Sequence, residues 1–133
     1  IGVNHKVVHA SDSLVAGKGH SVRGKGNVVF GYENKAQGEY TFVSGFKSEA
    51  SKRFSHCIGG GFHNVSSEFG IAIGGRNNSV NAHGAVALGG HVSTATGIES
   101  VVVGGSNAQT NGLFSVAIGG QFADSKGEHS LVL

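Results

Sequence analysis

The sequence predicts an all-β fold: a parallel β-roll, or solenoid, of about nine coils of 14–15 residues. Three observations carry this. A short apolar motif closed by glycine recurs down the whole chain, from Ser13–Gly17 to Ser130–Leu133. The spacing between the closing glycines is 14 residues from Gly17 to Gly31 to Gly45, then 15 through Gly60, Gly75, Gly90, Gly105 and Gly120. Glycine makes up 24 of 133 residues, and Pro, Trp and Met are absent. A fixed period of this size means stacked supersecondary units, each too small to bury its apolar surface alone.

Within each coil the motif is the first strand. At four residues it is too short for a helix, and its β-branched content favours extended chain. Its second residue runs from Leu14 and Val28 to Val116 and Leu131, and its fourth from Ala16 and Phe30 to Ile118 and Leu133. Side chains alternate faces along a strand, so these two columns share one face. The third residue points the other way and is also apolar: Val15, Val29, Val43, Cys57, Ala72, Ala87, Val102, Ala117 and Val132. A strand apolar on both faces is covered on both faces. The bulkier pair is assigned to the coil interior, because a thin coil must fill its own core. The third-residue column is then left outside, and nine rows of it are too large a stripe to leave in water. It is read as the interface of a homotrimer, closed by cyclic symmetry around small side chains.

The glycine that closes the motif suits a turn with positive φ. Five residues before each motif lies a second column, Val8, Val22, Ala36, Ala50, Val65, Val80, Ala95, Thr110 and Ser125. Its neighbours are polar, among them Asn34, Lys35 and Asn78, so it reads as a strand with one face inward and one in water. A less regular glycine column follows at Gly24, Gly38, Gly97, Gly112 and Gly127. No segment carries helical periodicity. Nine coils at the parallel strand spacing make a rod about 43 Å long.

The charge is uneven. Residues 1–53 hold eight Lys and Arg against four acids, and residues 54–133 hold two against four. The cations are scattered one or two per coil, which fits a solvated face or a basic surface for charged partners. No apolar run approaches the roughly 20 residues of a membrane helix. The single cysteine rules out an internal disulfide. The absence of Met at position 1, and a last row that stops short of its glycine, read as a piece of a longer protein, with residues 1–133 forming one domain.

Catalytic and cofactor chemistry are not expected. Gly19–Gly26 approaches a phosphate-binding loop, but Gly26 stands where a Ser or Thr would hold magnesium, and no helix follows. Of the eight histidines, His83 and His91 sit at different offsets in adjacent coils, as do His56 and His63, so no metal site is expected. His56 replaces an aliphatic residue in the column taken as inward, and needs a hydrogen-bond partner there. Cys57 reads as a buried thiol, with an ion or crosslink between three copies as the minor alternative. No nucleophile–base arrangement can be assembled from the columns. Asn64-Val65-Ser66 and Asn77-Asn78-Ser79 are glycosylation sequons, relevant in a eukaryotic host only. Thr is too rare for an ice-binding ladder.

Rows such as Gly97-Ile98-Glu99-Ser100-Val101-Val102-Val103-Gly104 and Gly112-Leu113-Phe114-Ser115-Val116-Ala117-Ile118-Gly119 closely resemble the YadA-like head repeats of trimeric autotransporter adhesins. The resemblance covers residues 2–133. It implies a left-handed parallel β-roll assembled as a homotrimer on a bacterial cell surface, with a stalk and an outer-membrane anchor outside this segment. It implies adhesion to extracellular matrix or another host surface through many weak contacts, for which Lys35, Lys47, Lys52, Arg53, Arg76 and His91 are the candidate residues; no cofactor, metal or nucleic acid is implied. The chain departs from the family's 14-residue, single-glycine repeat at its Gly-Gly junctions, and its motif degrades at Phe42-Val43-Ser44 and His56-Cys57. Phage and viral fibres carry similar repeats, so a shaft or spacer of such a fibre is the alternative function. An enzyme on a β-solenoid would need acids or histidines clustered on one face, which the columns do not supply.

Overall fold

A computed structural model describes residues 1–133. It is a parallel β-solenoid with no helix, made of nineteen strands in two sheets. The motif sheet has ten strands: Gly2–Val3, then Leu14–Lys18, Val28–Tyr32 and Phe42–Phe46, then His56–Ile58, Ile71–Ile73, Val86–Leu88, Val101–Val103, Val116–Ile118 and Leu131–Val132. The return sheet has nine, from Lys6–Ser11 and Ser21–Lys25 to a series of two-residue strands ending at Asp124–Ser125. Every motif strand pairs in parallel with the motif strand of the next coil, so Val29 aligns with Val43, Val43 with Cys57 and Cys57 with Ala72. The corners are stacked as well: the Glu33 amide donates to the Lys18 carbonyl, and the Lys47 amide to the Tyr32 carbonyl. Backbone polar groups are thus satisfied by the coil above or below, which is why such short strands persist.

The facing of the motif strand is the reverse of the sequence expectation. Val29, Val43, Cys57, Ala72, Ala87, Val102 and Ala117 are fully buried within the single chain, with Val15 and Val132 packed against them at the ends. They form the coil interior with Val22, Ala36, Ala50, Val65, Val80 and Ala95 of the return sheet. The nine residues assigned to a trimer interface are therefore core, and the second- and fourth-residue columns face outward. The reason is volume. Only Lys47 and Ser48 separate Phe42–Phe46 from Glu49–Ala50, so a tight corner holds the two sheets close. Nothing larger than Val occurs in the apolar core. Phe30, Phe42, Ile58 and Ile73 do not fit that space and turn out of it.

The return sheet behaves as expected at its inward column, but Asn34 and Asn78 are buried rather than in water. They belong to an internal polar ladder, three residues after the closing glycines from Gly17 to Gly90, which gives way to Ala108 and Ala123 in the last coils. The Asn34 amide donates to His20 Nδ1 at 3.1 Å, Ser48 to Asn34 Oδ1 at 2.9 Å, and His63 to Ser48 Oγ at 3.1 Å. The Asn78 amide donates to His63 Nδ1 at 3.3 Å, and Ser93 to Asn78 Oδ1 at 3.1 Å. Each side chain caps the amide that the corner leaves without a backbone partner.

Candidate functional site

The outward side of the motif sheet is an extended apolar surface of the chain. Ile58, Ile73 and Ile118 are 37%, 40% and 41% exposed, and Val28, Ile71, Val86, Leu88, Val101, Val103 and Val116 are half-buried beside them. Phe30 and Phe42 meet edge to face with centroids 6.2 Å apart. These residues face outward because the period-2 pleat puts them opposite the fully buried third column. Isolated exposed aliphatics are ordinary, but a stripe repeated on every coil is not.

His56 lies on this outward face, half-buried, and not in the core as expected. Its Nδ1 accepts the Phe42 amide at 3.1 Å, and burial lowers its pKa. Ser44 stands beside it, its Oγ accepting the Gly59 amide at 3.0 Å. The two polar departures from the motif thus occupy the junction where the period lengthens from 14 to 15 residues. Cys57 is interior, its thiol donating to the Glu49 carbonyl at 3.1 Å, and burial pushes its pKa up to about 12. A thiol enclosed in its own coil is inert and cannot reach copies of itself.

The six predicted contact residues do not form one cluster. Lys35 lies on the outer side of the return sheet, paired with Glu49 at 3.6 Å. Lys47 and Arg76 lie at the C-terminal corner of the motif strands, with His91 in the column of Arg76 and Lys47 one position further round. Lys47 pairs with Glu33 at 3.3 Å, while Arg76 stacks over Phe62, 5.5 Å from the ring centroid. Lys52 and Arg53 lie at the opposite corner, where Arg53 pairs with Glu39 at 3.3 Å and covers Phe54. Lys35 and Lys47 come together only around an open hollow of about 450 Å³, with Gly19, Ser21, Glu33, Ser48 and Glu49. Its charges are already paired with each other and no apolar side chain lines it, so it lacks the aliphatic and aromatic walls that hold most small ligands.

Two further features were missed by reading columns for apolar character alone. One is the internal His–Asn–Ser ladder, whose signal is a polar residue at a constant offset after the glycine. The other is the run of aromatic rings on the corners. Tyr32 stacks on Phe46 at 5.4 Å, and Tyr40 on Phe54 and Phe54 on Phe69 at 5.4 and 5.1 Å. Tyr40, Phe54 and Phe69 all occupy the left-handed region, with φ near 55°. No group of three or more His, Cys, Asp or Glu side chains converges on a common point. Comparison with protein-family models, with curated proteins and with solved structures returns no match.

Proposed function

We propose that this chain is a head segment of a homotrimeric surface adhesin, a left-handed β-roll that self-assembles through its motif face and binds a host matrix or surface through repeated contacts. The observation that carries it is the outward stripe of Val, Ile and Phe on the motif sheet, present on coil after coil. Such a stripe needs a cover, and copies of a thin rod can supply it around a common axis. With that face closed, the return sheet remains for ligands. Many weak contacts along three chains would then give avidity without a pocket. This fits cations dispersed at Lys35, Lys52 and Arg53 rather than gathered in one site.

The second reading is a shaft or spacer of a fibre. The open surface hollows favour it, since seven residues with no apolar side chain line the larger and only Val8 and Val22 are apolar in the smaller.

Solution mass by light scattering tests the assembly, with the expected species at three times 13.5 kDa. Val101→Asp, on the outward face, should give a folded monomer. Val102→Asp, at a fully buried position, should unfold the chain, because an isolated buried carboxylate has no partner. A wild-type monomer at all concentrations would sink the assembly. Saturable binding of the assembled form to immobilised matrix protein supports the adhesin, and its absence supports the spacer.

A further inference from the structure

The two corners that flank the motif sheet carry charge in a pattern that pairing within the chain leaves unexplained. We infer that these corners bind each other between chains, row on row, and set the register of a parallel cyclic assembly. The inference rests on the motif face being the seam between copies.

The N-terminal corner carries Lys25, Glu39, Arg53 and Glu68 in one column with Asp12 one position further on, and the C-terminal corner carries Lys18 and Arg76 in one column with Glu33 and Lys47 one position further on. Along each corner, neighbours pair vertically: Asp12 with Lys25 at 3.8 Å, Glu39 with Arg53 at 3.3 Å, Glu33 with Lys47 at 3.3 Å. Vertical pairing explains why signs alternate along a corner. It places no constraint on one corner relative to the other, because a whole motif strand of about 17 Å lies between them. Yet every row charged at both corners carries opposite signs: Asp12 and Lys18, Lys25 and Glu33, Glu39 and Lys47, Glu68 and Arg76. Where one corner inverts its sign, at Lys25, the other inverts too. The row of Arg53 presents Gly61 and Phe62 instead of a charge. Glu68 and Arg76 are exposed, and neither belongs to any of the chain's ion pairs.

Rotating copies about an axis parallel to the stack brings the N-terminal corner of one chain against the C-terminal corner of the next, at equal height. All four rows then meet with opposite charges. Slipping one chain by a single coil in either direction sets three rows like against like: Asp12 on Glu33, Lys25 on Lys47 and Arg53 on Arg76 one way, Lys25 on Lys18, Glu39 on Glu33 and Arg53 on Lys47 the other. The outward rows also differ in bulk, from Ala16 and Ser44 to Phe30 and Phe42, and the corner charges add a like-charge penalty to every slipped register.

The test is sedimentation of the full chain over a concentration series, for wild type, Glu68→Arg, Arg76→Glu and the double exchange. Each single reversal should raise the concentration of half-assembly about tenfold, since one like-charge contact is created at every seam. The double exchange should return it to within about twofold of wild type. A double variant as weak as the singles overturns the corner pairing while leaving the apolar seam standing. A wild type that never assembles overturns both. Should either exchanged residue disturb folding, as read by melting, Glu39→Lys with Lys47→Glu replaces it. There the exchange sets like charges against Arg53 and Glu33 within the chain, so recovered assembly can come only from contacts between chains.

Discussion

The first coils of the chain and the later ones solve the same corner in different ways. In the 14-residue coils the motif strand runs unbroken through its glycine, as in Val28–Tyr32 and Phe42–Phe46. In the 15-residue coils it stops at three residues, and pairing resumes only as isolated bridges at Gly61, Arg76, His91, Ser106 and Gln121. The inserted glycine is absorbed entirely at this corner. The first glycine of each doublet bulges into open space: a Cβ at Gly59, Gly74, Gly89, Gly104 or Gly119 would meet nothing within 4 Å. The second keeps the role of the single glycine in the short coils. A Cβ at Gly75 would stand 2.3 Å from the Gly90 carbonyl oxygen, and one at Gly31 would stand 2.2 Å from that of Gly45. The core columns and the internal ladder pass through the change without a shift, since the ladder residue stays three positions after the second glycine. A repeat can therefore change length where the chain faces solvent, but not where backbone touches backbone.

Substitution of the glycines should give the largest effect and the sharpest test of this contrast. Gly31→Ala and Gly75→Ala should each cost more than about 3 kcal/mol, as overlap with a carbonyl oxygen adds to the positive φ. Gly74→Asn, at φ 64° in open space, should stay within about 1 kcal/mol by denaturant melts. Equal damage at Gly74 and Gly75 would break the distinction.

The internal ladder comes next. His63→Ala leaves the Asn78 amide buried without an acceptor and should cost about 1–3 kcal/mol. His63→Asn should recover most of it, because Asn34 and Asn78 already serve the same purpose in a short coil and a long one. Acid should act through the same side chains. Burial lowers the pKa of both His20 and His63 below 6.5, outweighing the backbone carbonyls of Ala16 and Gly59 near their Nε2 atoms. His63 Nε2 faces Gly59 without completing a hydrogen bond. A lowered native pKa means that the unfolded chain takes up protons first. Their contribution is complete above pH 6.5 and is lost as pH falls through the lower native values. His56 acts in the same direction. The melting temperature should therefore fall below pH 6.5, and His20→Asn with His63→Asn should flatten most of that fall.

The smallest expected effect is a gain. Val92 holds φ 56° at a solvent-facing corner, where a β-branched residue is strained. The equivalent position in neighbouring coils is Asn77 and Asn107. Val92→Asn should stabilise the chain by about 1 kcal/mol.

The site was half legible. An apolar stripe is legible in the columns, but the sequence reading sets it on the wrong side of the strand. The sequence reading sets Val15 through Val132 at the seam and Leu14 through Leu131 in the core, and the structure reverses the two. The sequence reading sets Asn34 and Asn78 in water, where a polar residue in a turn usually lies, and the structure buries both with His63. A constant offset from the closing glycine was the available signal. The paired corner charges need the row assignment, which comes only with the strand register.

From the residues alone, the period, the parallel stacking, the two strands per coil and the glycine corners all followed. Each depends on neighbours within one repeat, or on the same position one repeat later. Which face of the motif lies inside did not follow. Alternation separates two faces of a strand, and when both are apolar it is symmetric between them. The tertiary structure breaks that symmetry through the distance between sheets. Corners as short as Lys47-Ser48 leave room for Val against Ala and no more, so the small column goes in and the large one goes out.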